Sequence, residues 1–219
     1  MTSTQHPKYT LSKQSSLDEF LNENKKFADD LKEQHPDIVA ATAKKQTPHT
    51  LWVGCSDSRY SEKCLNVLPG EVFTLRNIAN VIASHDISSA GAIQFAIEAL
   101  NVKKIVVCGH TDCGGIWASL GKNKIGGVLD QWLYPVRQLR AQNLEELEKI
   151  EDPDLKCRKL SELNVINSVH MLKRHPSAVN ALKKGEIEVY GLMYDVSSGL
   201  LEEIKIPEDT YHSVFNVEG

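Results

Sequence analysis

The sequence has no uninterrupted apolar run that approaches the length of a membrane span. It also has no basic stripe and no block of like charges, and its formal net charge is only −4. These absences argue against membrane and nucleic-acid partners. Of the 219 residues, 41% are hydrophobic and 25% are charged, as is ordinary for a soluble globular protein. The composition therefore predicts one domain with a core of its own.

Cysteines are few, and no two of them form a Cys-x-x-Cys pair. The five are Cys55, Cys64, Cys108, Cys113 and Cys157. An odd number in a chain of this length argues against a secreted disulfide framework and favours a reducing compartment. Residues 1–16 lack the apolar core of a secretory signal and the arginine-rich pattern of a transit peptide. We expect a cytoplasmic protein, with import into mitochondria as the alternative.

Apolar segments alternate along the chain with segments of helical periodicity. Strands are predicted at 50–54, 71–75, 104–108, 186–194 and 200–206, and helices at 17–34, 88–100, 128–139, 154–174 and 177–184. The first three strands lead through helices to the next strand, and the last two form a hairpin. This order predicts an α/β fold: a mainly parallel sheet with an antiparallel edge strand, flanked by helices.

The N-terminal segment 1–36 is predicted to be an arm and a helix within a single domain that covers 1–219. Leu17, Phe20 and Phe27 lie on a narrow apolar stripe of this helix, and His35-Pro36 ends it. Such a stripe is typical of a helix that packs on a partner subunit. Packing on its own domain is an equally open alternative.

Two of the predicted strands end in residues that bind metals or carry charge. The first leads into Cys55, Asp57 and Arg59, and an extended chain directs alternate residues to the same side. The strand predicted at 104–108 leads to His110 and then to Cys113. Because parallel sheets bind ligands at the carboxyl ends of their strands, we expect these side chains to converge.

The thiols and the imidazole predict a zinc site, since zinc in proteins takes such ligands in tetrahedral geometry. Cys55, His110 and Cys113 supply three ligands, and the last two are spaced so that one helical turn would bring them together. Asp57 is the natural fourth ligand or the partner of a water molecule. Arg59 is the natural group to hold Asp57, since a guanidinium binds a carboxylate through two hydrogen bonds. Asp112 is interpreted only as a cap of the helix that follows.

Each half of this pattern is weak alone, because a buried cysteine is usually a small hydrophobic residue. Cys64, Cys108 and Cys157 are interpreted in that way. Three residues separate Cys55 from Arg59, fewer than a phosphate-wrapping phosphatase loop uses. The lack of a Cys-x-x-Cys pair argues against a thioredoxin-like site. A metal site remains the preferred interpretation.

Three longer motifs resemble a known family. They are Cys55-Ser56-Asp57-Ser58-Arg59, Arg76-Asn77-Ile78-Ala79-Asn80 and Gly109-His110-Thr111-Asp112-Cys113-Gly114-Gly115. Together they look like the defining motifs of the β-class carbonic anhydrases, most of all the fungal members, with a similarity that extends over residues 46–199. The resemblance implies reversible, zinc-dependent hydration of carbon dioxide to bicarbonate and a proton, by attack of zinc-bound hydroxide.

The resemblance also implies a role for individual residues. Cys55, His110 and Cys113 match the zinc ligands, and Asp57 and Arg59 match the catalytic pair. The positions that line the carbon dioxide pocket, part of which belongs to a neighbouring subunit, correspond to Gln46, Phe73, Ile78 and Phe95. Plant members have a tyrosine in place of Phe95, so any role of that hydroxyl is lost here.

Some β-class enzymes are inhibited by bicarbonate at a separate site, and the chain matches that site at Trp52, Arg76 and Tyr194. In those enzymes bicarbonate at the separate site moves the counterpart of Asp57 onto zinc, where it displaces water. Here we expect low pH or high bicarbonate to place Asp57 on zinc and to release Arg59. The resemblance therefore implies allosteric inhibition. The alternative is that the three matching residues are only structural.

The family further implies a homodimer or a tetramer of dimers, acting on carbon dioxide and bicarbonate. The composition, as above, predicts no nucleic-acid or membrane partner. Two other functions stay open. One is hydrolysis of carbon disulfide, which enzymes of the same fold perform. The other is a non-catalytic zinc protein in bicarbonate sensing, in which Asp57 or Arg59 would be lost, whereas both are present.

Overall fold

The computed structural model describes residues 9–215 and divides into two compact units, Met1–Gln46 and Thr47–Gly219. In the first unit, α1 (Leu17–Gln34) begins where the sequence predicts, because Ser16 forms a capping box with Glu19. A second helix, α2 (Pro36–Thr42), was not predicted. Proline was interpreted as the end of a helix, but it is also well suited to the first turn of the next one.

The second unit is built on a five-stranded sheet in the order β2-β1-β3-β4-β5. The strands are β1 (Thr50–Cys55), β2 (Val72–Asn77), β3 (Lys104–His110), β4 (Glu188–Tyr194) and β5 (Leu201–Ile204). The first four are parallel, and β5 pairs antiparallel with β4. This confirms the predicted α/β fold with an antiparallel edge strand.

The helices of this unit are α3 (Ile87–Gln94), α4 (Gly114–Leu120), α5 (Val128–Trp132), α6 (Tyr134–Gln142), α7 (Leu144–Glu148), α8 (Pro153–Lys173), α9 (Pro176–Lys183) and α10 (His212–Phe215). A π-helical turn, Phe95–Ala99, continues α3, and 3-10 turns lie at Glu62–Leu65 and Ile78–Asn80. The helix predicted at 128–139 is divided in two at Leu133. The acidic stretch before α8 contains α7, which its buried Leu147 holds on the core.

Helices cover both faces of the sheet. Leu51 and Val53 of β1 belong to a core cluster with α3, α9 and the second half of α8. Trp52, which points to the other face, belongs to a cluster with α4, α6 and the first half of α8. Burial on both faces explains why the strand sequences do not alternate between apolar and polar residues.

The pairing of β1 with β3 brings two of the predicted ligands to one edge of the sheet. Gly54 of β1 lies opposite Cys108 of β3. Cys55 and His110, which are the last residues of these two strands, therefore lie together at the carboxyl end of the sheet. Within residues 9–215, no helix is long and apolar enough to cross a membrane.

Replacement of Ile105 tests the central position of β3. Ile105 is fully buried between the neighbouring strands and the helices, so Ile105→Ala is expected to lower the free energy of unfolding by about 2–5 kcal/mol. The matched control is Ile125→Ala, since Ile125 is 47% exposed and its loss should change stability by no more than about 0.5 kcal/mol. Urea unfolding measures both, and equal effects would contradict the assigned core.

Candidate metal and catalytic site

Three of the predicted ligands come together at the carboxyl edge of the sheet. Cys55 ends β1, His110 ends β3, and Cys113 precedes the first turn of α4. Their ligand atoms lie within 4.8 Å of one another, and all three side chains are buried. The two sulfur atoms are 4.0 Å apart, close to the roughly 3.8 Å between two thiolates on one tetrahedral zinc with Zn–S bonds of about 2.3 Å.

The reason given for the meeting of His110 and Cys113 was wrong, although the two side chains do meet. A helical turn does not join them, because His110 is still in β3 and α4 begins only at Gly114. The chain reverses instead at Asp112, which has a left-handed backbone with φ of 55°.

The hydrogen bonds of His110 leave one ring nitrogen available to a metal. Its Nδ1 lies 2.9 Å from the carbonyl oxygen of Thr111; a carbonyl only accepts, so Nδ1 carries the proton. The other nitrogen, Nε2, is buried and has no hydrogen-bond partner among the described residues. In the tautomer that carries its proton on Nδ1, Nε2 offers a lone pair beside two thiols, and this donor set fits a metal such as zinc.

The two thiols have opposite acidities because they interact with each other. The hydrogen bond with Cys113 lowers the pKa of the Cys55 thiol. The same hydrogen bond, together with burial, raises the pKa of Cys113. The pair thus retains one proton that a bound cation would displace, since metals bind the thiolate form of cysteine.

Cys55 is held by groups that sequence reasoning did not identify. Its sulfur accepts a hydrogen bond of 3.3 Å from the backbone N–H of Ala79. Its own N–H donates to the hydroxyl of Tyr60 at 2.6 Å, and that hydroxyl donates to the carbonyl of Cys108 at 2.9 Å. The ring of Tyr60 also lies 4.8 Å from the ring of His110. Tyr60 gave no signal in the sequence, because these partners depend on the folded arrangement of separate strands.

Asp57 and Arg59 form a bidentate ion pair beside the ligand group. Nε of Arg59 donates to Oδ1 of Asp57 at 3.0 Å, and Nη2 donates to Oδ2 at 2.8 Å. These hydrogen bonds hold the pKa of the Asp57 carboxyl at about 2. The pair was predicted from the alternation of an extended strand, and that reason was wrong: β1 ends at Cys55, and a turn brings the two side chains together.

Arg59 in turn is anchored by Asp112. Its Nη1 donates to Oδ2 of Asp112 at 2.7 Å, and its Nη2 donates to the carbonyl of the same residue at 2.8 Å. The indole of Trp117 donates to the other carboxylate oxygen of Asp112 at 2.7 Å. Asp112 therefore orients Arg59, whereas the sequence suggested only a helix cap.

Asp57 does not belong to the group of ligand atoms as the structure places it. Its Oδ2 is 3.8 Å from Nε2 of His110, but both of its oxygens accept hydrogen bonds from Arg59. The structure thus shows the arrangement in which Arg59 holds Asp57 beside the ligands. A role of Asp57 as a fourth metal ligand stays a prediction for another arrangement.

The four residues expected to line the substrate pocket are placed as follows. The rings of Phe73 and Phe95 are a tilted pair with centroids 5.9 Å apart. Ile78 lies on the turn that contacts Cys55 and is 41% exposed, while Phe95 is 45% exposed. Gln46 ends the first unit. The structure brings the two phenylalanines into contact, and the pocket itself stays a prediction.

The residues of the predicted bicarbonate site surround Tyr60. The ring of Tyr194 stacks on it at 5.2 Å, the ring of Trp52 is tilted to it at 6.4 Å, and the guanidinium of Arg76 lies 5.9 Å from its centroid. The indole N–H of Trp52 is buried and has no partner within residues 9–215. Tyr60 therefore occupies the space between the three residues.

Comparison with known proteins shows the family to which this chain belongs. The family model of carbonic anhydrases matches residues 50–201. A carbonic anhydrase of Candida albicans is 60% identical over 211 residues, which are 95% of this chain and 75% of the relative. One of Saccharomyces cerevisiae is 38% identical over 203 residues, which are 90% of this chain and 92% of the relative.

Solved structures give the same result. A β-carbonic anhydrase of Aspergillus fumigatus has a TM-score of 0.87 and 41% identity, with 93% of this chain and 100% of that chain covered. A tetrameric β-carbonic anhydrase of Sordaria macrospora has a TM-score of 0.82 and 38% identity, with 84% and 94% covered. The chain belongs to the carbonic anhydrase family, in its β class and of the fungal type. It is a carbonic anhydrase, as its motifs predict.

Proposed function

We propose that this carbonic anhydrase binds Zn²⁺ at Cys55, His110 and Cys113 and catalyses the reversible hydration of carbon dioxide to bicarbonate and a proton. The observation that supports it is the buried group of two thiols and one imidazole lone pair within 4.8 Å. Zinc binds sulfur and nitrogen ligands of this kind, whereas magnesium and calcium prefer oxygen ligands. When bound, zinc would act as a Lewis acid and lower the pKa of a water molecule bound to it to about 7.

Asp57 is the residue that would orient the attacking water. Its carboxyl pKa of about 2 keeps it ionised at every physiological pH, and an ionised carboxylate only accepts hydrogen bonds. It therefore fixes the direction of an O–H group beside His110. The same low pKa makes Asp57 a poor store for the proton that hydration releases, so we propose that the proton passes to buffer.

Arg59 keeps Asp57 in that role. Its guanidinium bonds both oxygens of Asp57 on one side and Asp112 on the other. A carboxylate held at two points keeps one orientation, which is what positioning of a reacting group requires. Both residues are present, which argues against a non-catalytic zinc protein.

We propose that Gln46, Phe73, Ile78 and Phe95 line an apolar pocket for carbon dioxide. The contact between the two phenylalanine rings supports an apolar wall. Ile78 and Phe95 each keep over two fifths of their surface exposed, as residues do when a neighbouring subunit completes the pocket.

We propose that the enzyme is a homodimer or a tetramer of dimers. Support comes from the apolar side chains of α1, each of which is at least half exposed: Leu17, Phe20, Leu21 and Phe27. Exposed apolar stripes of this kind mark contact surfaces. The Sordaria macrospora relative is described as tetrameric.

We propose a cytoplasmic location, with mitochondria as the alternative. The five cysteines are all free in the part of the chain that the structure describes, which is compatible with a reducing compartment. Fluorescence microscopy of the full chain with a C-terminal tag would distinguish the two compartments.

We also propose that bicarbonate inhibits the enzyme at Trp52, Arg76 and Tyr194. The unpartnered indole N–H of Trp52 and the guanidinium of Arg76 are donors suited to an anion. Since Tyr60 fills the space between them, bicarbonate must displace its ring. Arg76 also donates to the carbonyl of Asp57 at 2.7 Å, so an anion that captures Arg76 would loosen Asp57 and favour its movement from Arg59 to the metal.

Stopped-flow hydration of carbon dioxide, on protein of measured zinc content, tests the main proposal. Cys55→Ser removes one ligand and is expected to lose both zinc and activity, down to the uncatalysed rate. The matched control is Cys64→Ser, since Cys64 lies outside the ligand group and should keep both. Zinc-loaded protein without activity, or activity without zinc, would contradict the proposal. If the protein hydrolyses carbon disulfide and does not hydrate carbon dioxide, the alternative function, carbon disulfide hydrolysis, is favoured.

Trp52→Phe tests the regulatory proposal. The change removes the free indole N–H, so inhibition by bicarbonate is expected to weaken and the loss of activity at low pH to shift. The inhibition constant and the pH profile of kcat/KM measure this, with Tyr134→Phe as the control because Tyr134 is 60% exposed. Unchanged inhibition and an unchanged profile would rule out the site and leave the catalytic proposal intact.

A charged stripe on α1 tests its role in assembly. Phe20→Asp combined with Phe27→Asp places two carboxylates on one face of the helix and is expected to lower the mass of the assembly in light scattering. Asp30→Asn, on the same helix, should leave that mass unchanged. If the double variant also keeps the wild-type mass, α1 is not a subunit contact.

A further inference from the structure

The turn after β2 has a backbone that residues other than glycine rarely adopt. Ala79 has φ of 62° and Asn80 has φ of 46°, and both are buried. A side chain in this left-handed region is strained, and such a conformation persists only where the surroundings hold it. Two in succession, next to a candidate metal ligand, call for a specific cause.

The cause is a set of side-chain donors that bond three successive carbonyls of the turn. Trp132 of α5 donates to Ile78 at 2.8 Å, Asn164 of α8 donates to Ala79 at 2.7 Å, and Ser168 of α8 donates to Asn80 at 3.1 Å. Asn164 and Ser168 are buried and one helical turn apart. Side chains from two separate helices thus determine the path of this turn.

Two of these donors fix the conformation of Ala79 itself. Its φ and ψ are rotations between the peptide unit before it and the one after it. Trp132 bonds the carbonyl of the first unit and Asn164 bonds the carbonyl of the second. In a trans peptide the C=O and N–H point in opposite directions. The bond from Trp132 therefore directs the N–H of Ala79 away from α5 and towards the sulfur of Cys55, 3.3 Å away.

Contact with α4 holds the same turn from another side. A Cβ atom at Gly115 would lie 3.0 Å from Cβ of Ala79 and 3.1 Å from Cγ2 of Ile78. The first turn of α4, which follows Cys113, therefore packs directly on the turn. The N–H of Ala79, which bonds Cys55, is thus held in a fixed position relative to Cys113.

We propose that Asn164 and Trp132 are positioning residues of the metal site: they hold the N–H of Ala79 on the sulfur of Cys55 and so strengthen metal binding. This inference rests on the proposed zinc site. A buried thiolate ligand carries charge that an N–H donor stabilises, and the same donor orients the sulfur. Partners that bond a ligand in this way contribute about 10-fold to 100-fold in metal affinity.

Competition with a chelator tests the inference through zinc affinity rather than activity. Asn164→Ala and Trp132→Phe are each expected to weaken zinc binding by about 10-fold to 100-fold. The matched control is Ser161→Ala, which removes a buried hydroxyl from α8 that bonds none of the three carbonyls and should keep wild-type affinity. Because Trp132 is partly exposed and lies on another helix, its variant decides the test if Asn164→Ala fails to fold.

Cobalt substitution separates positioning from general packing. The thiolate-to-cobalt absorption band is expected to shift in Asn164→Ala and Trp132→Phe and to stay unchanged in Ser161→Ala. Wild-type affinity and an unshifted band in both turn variants would overturn the inference while leaving the zinc site in place. A wild-type chain that binds no zinc would overturn the proposed function as well, so the two failures are distinguishable.

Discussion

The candidate site depends on how the sulfur of Cys55 is held at the end of β1. Cys55 is buried, its thiol is acidified by Cys113, and a thiolate there is costly unless positive charge and hydrogen-bond donors surround it. The fold supplies one backbone donor, the N–H of Ala79, which reaches the sulfur. Tyr60 fixes the backbone of Cys55 by accepting its N–H. Within residues 9–215, no lysine or arginine hydrogen-bonds this sulfur, and positive charge is the contribution that a divalent cation would make.

The charged side chains beside the ligand group bond one another: Arg59 pairs with both Asp57 and Asp112. Oδ2 of Asp57 lies 3.8 Å from Nε2 of His110, and a free carboxylate there would be a suitable metal ligand. Arg59 competes for it with two hydrogen bonds and is itself fixed by Asp112. If a metal is bound as proposed, Asp57 would be shared between it and a guanidinium that a third residue, Asp112, holds in place. Arg76 also holds the backbone of Asp57, through a hydrogen bond to its carbonyl, so the proposed binding of an anion at Arg76 would act on the same carboxylate.

Sequence patterns identified the strands and the residues at their ends, because buried β-branched runs and clustered ligand types are local signals. They did not identify Tyr60, Asp112, Trp132 or Asn164. Their partners lie far along the chain, as with Asn164 and Ala79, 85 positions apart, and no periodicity encodes such a pair. Two local explanations were also wrong, since turns rather than strand alternation or a helical turn bring Asp57 to Arg59 and His110 to Cys113. The meeting of these residues could be predicted, but the backbone geometry behind it could not.

The same geometry implies that the metal site and the fold stabilise each other. Its ligands come from β1, β3 and the start of α4, and the turn that bonds Cys55 is held by α5 and α8. A cation bound there would join elements that are far apart in the chain, so its binding free energy would contribute to folding. Conversely, the strained backbone of Ala79 is tolerable only in the folded chain, where two side chains bond its flanking carbonyls. Hydrogen bonds from Trp132 and Asn164, which lie outside the ligand group, thus stabilise the strained conformation. That conformation keeps the N–H of Ala79 on the sulfur of Cys55, which a flexible loop would not do.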